Sequence, residues 1–324
     1  MCTAIVFNSD CRYFGRNLDF ERSFGEKITL TPRNFPINFT NAKTLTNHFA
    51  IIGMAAVSQN YPLYFDATNE KGLSMAGLLF PGFSCYHEIK PDKTNIAPYE
   101  VILWVLSQCE TVTEAKILLE NVNIADIHFS SELPNTPLHW IICDKTGCIV
   151  LESLKEGLFI YDNPVGVLTN SPPFQMQIFN LNNYMSLSTR SPENHFSKKL
   201  DLWQYSRGMG GVGLPGDLSS QSRFVRGAFT ALNSHCYGSE QSAVCQFFHI
   251  LQSVAQTRGC AEVENGEYEI TLYSSCVNTD KGIYYYTTYE NPQICAVCMH
   301  KENLDSEDLI TYGVLSAWNV RFQN

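Results

Sequence analysis

The chain begins Met1-Cys2-Thr3-Ala4-Ile5, and no other feature restricts it as sharply. Loss of the initiator methionine, which a small second residue permits, leaves Cys2 with a thiol and a free α-amine. Such an amine has a pKa of about 7.7–8.0, against about 10.4 for a lysine, so much of it is neutral near pH 7. It can take the proton of an attacking thiol without a histidine. The local pattern gives this residue a place in a fold. Cys2–Phe7 reads as a strand, Asn8-Ser9-Asp10 as a turn and Tyr13–Arg16 as a returning strand, a hairpin that brings Arg16 and Asp19 back toward Cys2. The plainer alternative is a small residue that merely opens a strand.

The 324 residues are 44% hydrophobic and only 17% charged, enough for a sizeable core with much buried sheet. A net charge of -10 and a pI near 5.3 argue against nucleic acid or an anionic membrane as partner. The start lacks a basic, then apolar, leader, and no apolar run reaches the ~20 residues of a membrane span. These features lead us to expect a cytoplasmic protein without membrane insertion. In that compartment the 12 cysteines stay reduced, acting mostly as small apolar residues. Cys295-Ala-Val-Cys298 has no second pair to complete a metal site, so no metal is expected.

Strands are expected at Lys27–Thr31, in the apolar runs 48–57 and 72–78, and at Leu138–Cys143, Ile149–Glu152, Leu158–Tyr161 and Val165–Leu168. Pro98 leads a helix over Tyr99–Gln108, and Thr111-Val-Thr-Glu114 has capping-box spacing ahead of another through Asn121. Residues 170–220 read as polar loop. Ser222 caps a helix over Arg223–Leu232, and Glu240–Gln256 reads as a longer one. A hairpin, Tyr268–Cys276 and Ile283–Tyr289, and a strand over Gln293–Met299 follow. The order lacks the alternation of a doubly wound sheet, and no linker or repeat divides the chain, so one domain over 1–324 is expected.

Several strings resemble one family in order and spacing. They are Met1-Cys2-Thr3-Ala4-Ile5, Tyr13-Phe-Gly-Arg-Asn-Leu-Asp19, Pro137-Leu-His-Trp140, Asp162-Asn-Pro-Val-Gly-Val-Leu-Thr-Asn170, Gly213-Leu-Pro-Gly-Asp217 and Ser222-Arg-Phe-Val225. The chain is similar to choloylglycine hydrolases, the conjugated bile salt hydrolases and penicillin V acylases. The resemblance implies an α+β fold, the four-layer αββα sandwich of N-terminal nucleophile hydrolases with antiparallel sheets. It also implies a cysteine nucleophile, no cofactor, and a homotetramer.

Roles follow residue by residue from that resemblance. Cys2 attacks the amide carbonyl, Arg16 favours the thiolate, and Asp19 holds the α-amine. Asn170 donates to the oxyanion and Arg223 completes the polar network. Each has an ordinary alternative: a surface arginine for Arg16, a turn residue for Asp19 or Asn170, a solvent-facing first-turn arginine for Arg223. Leu18, Phe20, Phe24, Tyr64 and Phe65 are candidates for an apolar acyl pocket or equally for core. Arg207 could face an anionic carboxylate or sulfonate. His139 in its apolar strand reads as a core histidine rather than a partner of cysteine. Gly208-Met-Gly-Gly-Val-Gly213 lacks the strand and the Gly-Lys-Ser/Thr ending of a phosphate loop.

Two departures bear on substrate. Bile salt members carry Ala-Gly-Leu-Asn-Phe where this chain has Ala76-Gly-Leu-Leu-Phe80, and many penicillin V acylases have tyrosine at that place. Leu79 has no side-chain donor, but its backbone N–H can serve as second oxyanion donor. Thr169-Asn-Ser-Pro172 replaces Asn-Asn-Pro while keeping Asn170. The expected activity is hydrolysis of glycine- or taurine-conjugated bile salts through a Cys2 thioester. Penicillin V or another N-acyl amide is the alternative substrate. From other classes, a non-catalytic ligand-binding homologue and a cysteine-based metal or redox protein stand as rivals.

Overall fold

The N-terminal hairpin forms, and further strands flank it on both sides. The computed structural model describes all residues, Met1–Asn324. Strands β1 (Cys2–Asn8), β2 (Arg12–Phe20), β3 (Lys27–Thr31), β4 (Ile51–Ser58), β5 (Tyr61–Asn69) and β6 (Ser74–Leu79) come first. Next are β7 (Thr94–Ile96), helices α1 (Val101–Leu106) and α2 (Val112–Glu120), and β8 (Val122–Ile124). Strands β9 (Leu138–Cys143), β10 (Cys148–Leu154), β11 (Gly157–Asp162) and β12 (Val167–Leu168) precede α3 (Phe174–Asn180). Helices α4 (Ser220–Asn233) and α5 (Glu240–Gln252) lead to β13 (Ile270–Asn278), β14 (Ile283–Thr288), β15 (Cys295–Cys298) and β16 (Ile310–Gly313).

Two antiparallel sheets result. The first is six-stranded, in the order β12-β1-β2-β13-β14-β15; the second is eight-stranded, β11-β10-β9-β6-β5-β4-β3-β16. Helices α4 and α5 cover the outer face of the first, and α1 packs on β5 and β6 of the second. The layers therefore run α, β, β, α, the expected sandwich. One core lies between the sheets and continues under α4 and α5; a second lies between the larger sheet and α1 and α2. No helix is long and apolar enough to cross a membrane.

Local chemistry explains the boundaries. Thr111 caps α2, its side chain accepting from Glu114 N–H. Asp144 ties that helix to the β9–β10 turn: its carboxylate accepts from Val112 N–H at 2.6 Å and from Thr146 N–H at 2.6 Å. Gly15 lets β2 and β13 approach, because a Cβ there would lie 1.9 Å from the Ser275 carbonyl oxygen.

Several expectations need correction. Pro98 starts a single 3-10 turn, Pro98–Glu100, before α1, so the helix over Tyr99–Gln108 is shorter than expected. Ser219, not Ser222, caps α4. The segment expected as loop contains α3, whose Phe174 packs on Phe224 at 6.2 Å between centroids and whose N–H donates to Glu152 at 2.9 Å. Tertiary partners hold that helix, and local pattern does not reveal it. Strand β5 lies outside the expected strands because Pro62 and Asp66 interrupt its apolar pattern.

Candidate active site

Cys2 sits opposite Leu18 in the β1–β2 ladder and is 2% exposed. Alternation puts Cys2, Arg16 and Leu18 on the face toward the second sheet, and Thr3, Asn17 and Asp19 on the face toward α4 and α5. The Cys2 thiol and the Asp19 carboxylate thus lie on opposite sides of one sheet.

Arg16 is fully buried. Its Nη1 donates to the carbonyls of Gly77 at 2.6 Å and Phe65 at 2.9 Å, while Nη2 has no protein partner. Burial opposes its charge, but Cys2, Tyr273, Asp66 and Asp19 outweigh that and hold its pKa above the usual value. The Phe65 carbonyl is available because β5 carries a bulge there: Asp66 pairs with Met54 and Tyr64 with Ala55, leaving Phe65 unopposed.

Asp19 is buried too. Its Oδ1 accepts from Thr271 Oγ1 at 2.6 Å; Oδ2 has no hydrogen-bond partner and lies 3.9 Å from Arg223 Nη1. Burial raises its pKa, against the pull of Arg223, the terminal amine, Thr271 and Arg16.

Asn170, just beyond β12, joins the parts. Its Oδ1 accepts from Cys2 N–H at 2.9 Å and Arg223 Nη2 at 2.7 Å, and its Nδ2 donates to the Leu79 carbonyl at 2.8 Å. An amide nitrogen carries two hydrogens, so one remains for a further acceptor. Arg223, in the first turn of α4, is buried rather than solvent-facing. Its Nη1 donates to the Cys2 carbonyl and to Thr3 Oγ1, each at 2.6 Å. Burial lowers its pKa, partly offset by Asp19 and Cys2.

Leu79 ends β6 past the last pairing with β5, Asp66 with Ala76. In a strand the N–H and C=O of one residue point the same way, so the Leu79 N–H faces the side on which its carbonyl meets Asn170.

The aromatic candidates divide. Phe20 and Phe24 meet in a tilted pair at 4.8 Å between centroids and Phe24 meets Phe65 at 5.3 Å, a partly exposed aromatic group on the Arg16 side. Leu18 is buried in the inter-sheet core. Tyr64 is a correction: the bulge turns it to the other face, into the outer core, where its hydroxyl bonds Thr31 at 2.8 Å. It does not line a pocket with Phe65. Arg207 is exposed in the long loop, with no side-chain hydrogen bond or ion pair to any site residue.

Sequence reasoning missed four residues. Asp66 is buried and accepts from Tyr273 at 2.5 Å, Tyr284 at 2.8 Å and Ser275 at 3.0 Å, supplying a negative charge near Arg16. Thr271 braces Asp19, and Gln177 donates to the Asn170 carbonyl at 3.2 Å. Glu269 ion-pairs with the terminal amine. None belongs to a recognisable motif. His139 is a core residue: Nε2 meets the Thr169 carbonyl at 2.9 Å, Nδ1 meets Glu152 at 3.1 Å, and the ring stacks on Phe80 at 4.2 Å. It braces the residue before Asn170. No three His, Cys, Asp or Glu side chains converge as a metal-binding group.

Residues 2–312 match the model of the linear amide C–N hydrolases, choloylglycine hydrolase family. The chain belongs to the choloylglycine hydrolase family. It is 55% identical over 316 residues to a bile salt hydrolase/transferase of Lactiplantibacillus plantarum, covering 98% of each chain. Among solved structures, the C2A mutant of a conjugated bile acid hydrolase from Clostridium perfringens superposes with a TM-score of 0.92 at 40% identity, covering 100% of both chains. A penicillin V acylase from Agrobacterium tumefaciens shares the fold at a TM-score of 0.75 and 20% identity, over 96% of this chain and 91% of that one. As a member of this family the chain is an amide hydrolase with the N-terminal nucleophile fold.

Proposed function

We propose that this choloylglycine hydrolase cleaves the amide of glycine- or taurine-conjugated bile salts, as a single domain spanning residues 1–324. The observation that carries the reading is the convergence of Arg16, Asp19, Asn170 and Arg223 on Cys2 at the head of β1, in a chain so similar to relatives named for bile salts. After loss of Met1, the Cys2 thiol passes its proton to its own α-amine and its sulfur bonds to the substrate carbonyl carbon. The free Asn170 N–H and the Leu79 backbone N–H receive the oxyanion. On collapse, the carbon–nitrogen bond breaks, glycine or taurine leaves with the proton, and an acyl thioester remains. Water, deprotonated by the same amine, releases the bile acid and restores the thiol. Asp19 orients the amine, Arg16 faces the forming thiolate, and Arg223 holds Asn170 and the Cys2 carbonyl. Leu18, Phe20, Phe24 and Phe65 contribute apolar wall.

Leu79 favours a second substrate class, penicillin V, because the usual asparagine side chain is missing there. Protein with a verified N-terminal Cys2, incubated with glycocholate, taurocholate and penicillin V, separates the two. Hydrolysis of the conjugates and none by Cys2→Ala is expected; cleavage of penicillin V alone would reverse the assignment, and cleavage of none would refute both. In the cell we place the enzyme in the cytoplasm, a reading supported by twelve cysteines that are all free. We also infer a homo-oligomer, a tetramer by family resemblance, joined through the long loop after α3.

A further inference from the structure

Met1 is held as an added residue of β1. Its carbonyl accepts from Asp19 N–H at 2.9 Å, and its α-amine donates to the Asp19 carbonyl at 2.6 Å. The same amine is ion-paired with the carboxylate of Glu269, itself only 5% exposed just ahead of β13. Across the Met1–Cys2 bond, the Cys2 N–H donates to Asn170 Oδ1 at 2.9 Å. Every polar group of the peptide unit to be cut is therefore engaged, at one end of the strand pair β1–β2.

An aminopeptidase must grip the free amine and polarise the carbonyl of the first peptide bond. Here both groups belong to the β1–β2 ladder, so neither is reachable unless the first residues peel away from Asp19 and Glu269. Burial also lowers the pKa of the amine, which is consistent with its removal from water.

We propose that Met1 can be removed only before β1 docks, and that folding with Met1 in place latches the chain through Glu269 into a blocked form. The chemistry is hydrolysis by an external methionine aminopeptidase. Water adds to the Met1 carbonyl carbon, the bond to the Cys2 nitrogen breaks, methionine leaves as the free acid, and the Cys2 nitrogen takes up the proton. The functional consequence, a thiol without its free amine, rests on the mechanism proposed above. The latch itself does not, because it is read by mass and not by activity.

Full-length protein made in a cell-free system lacking methionine aminopeptidase retains Met1. Purified peptidase is added during synthesis in one arm and after folding in the other, and intact mass reports loss of one methionine. A synthetic peptide of residues 1–5 supplies the unprotected rate. Loss is expected in the first arm; in the second, cleavage should run at least about a hundredfold slower than in the peptide, since it must wait for local opening. The isosteric variant Glu269→Gln, with its melting transition checked against the parent, should be cleaved about tenfold faster after folding than the parent. Equal loss in both arms would overturn the proposal. So would retention in both arms, or spontaneous loss of methionine from the folded chain without peptidase. No gain in Glu269→Gln would remove Glu269 from the latch.

Discussion

Asn170 shows how much one amide group can be asked to do. Its oxygen is shared by the Cys2 N–H and Arg223, and one of its two N–H donors is taken by the Leu79 carbonyl. The remaining donor is the one we assign to the oxyanion. Asn170→Asp keeps the acceptor for Cys2 and Arg223 and removes the donors. It should lower kcat by about 10²–10³ while KM moves only a few-fold, the signature of a contact made in the transition state. A loss confined to KM would remove Asn170 from that role. At this scale the sequence was partly legible. Cys2, Arg16, Asp19, Asn170 and Arg223 lie in recognisable strings, and the structure brings all five together. Asp66, Thr271 and Glu269 do not, because a single buried acid or threonine carries no mark of what it will face.

Two bulges decide what the strands present. In β5 the unopposed Phe65 frees a carbonyl for Arg16 and sends Tyr64 and Asp66 to opposite faces. In β13 the register shift between Thr271 and Tyr273 does the same: Thr271 pairs with Asp19 and Tyr273 with Leu18, so they point to opposite sides. Without these offsets Thr271 could not hold Asp19 while Tyr273 holds Asp66. Reading by strict alternation would put the two residues of each such pair on one face. The Asp144 link offers a second test between elements. Hydrogen bonds from Thr146, Val112 and Gly147 overcome the effect of burial and hold its pKa below the usual carboxylate value. A depressed folded pKa means its stabilisation is complete above the unfolded value of about 3.9 and is lost as pH falls through the folded one. Asp144→Ala should cost about 2 kcal/mol near pH 7. The difference in thermal stability between parent and variant should hold down to about pH 5 and narrow below about pH 4. A constant gap across that range would show that the carboxylate's charge is not what holds α2 to the turn.

For the whole molecule, the long loop after α3 stands out for the large apolar side chains it exposes. Met185, Phe196, Trp203 and Tyr205 are 82%, 80%, 75% and 72% exposed, a density of large apolar side chains that marks a surface to be covered. We assign it to copies of the same chain. Light scattering on the purified protein should give about four times the 36.6 kDa chain mass, and Trp203→Ser with Tyr205→Ser should shift it to smaller species. A monomeric parent at micromolar concentration would refute the assignment.

By itself the sequence determined the hairpin that carries Cys2, the run of short strands and capped helices, and the strings that mark the family. These are local: periodicity, caps, turns and motif spacing act over a few residues, and each leaves its trace in order along the chain. The tertiary structure alone decided what surrounds the thiol. Glu269 lies far from Met1 in sequence and Asp66 far from Arg16. Strand register brings Glu269 to Met1, and the β5 bulge turns Asp66 to the side from which its charge acts on Arg16; both are set by the packing of the sheets rather than by any local preference.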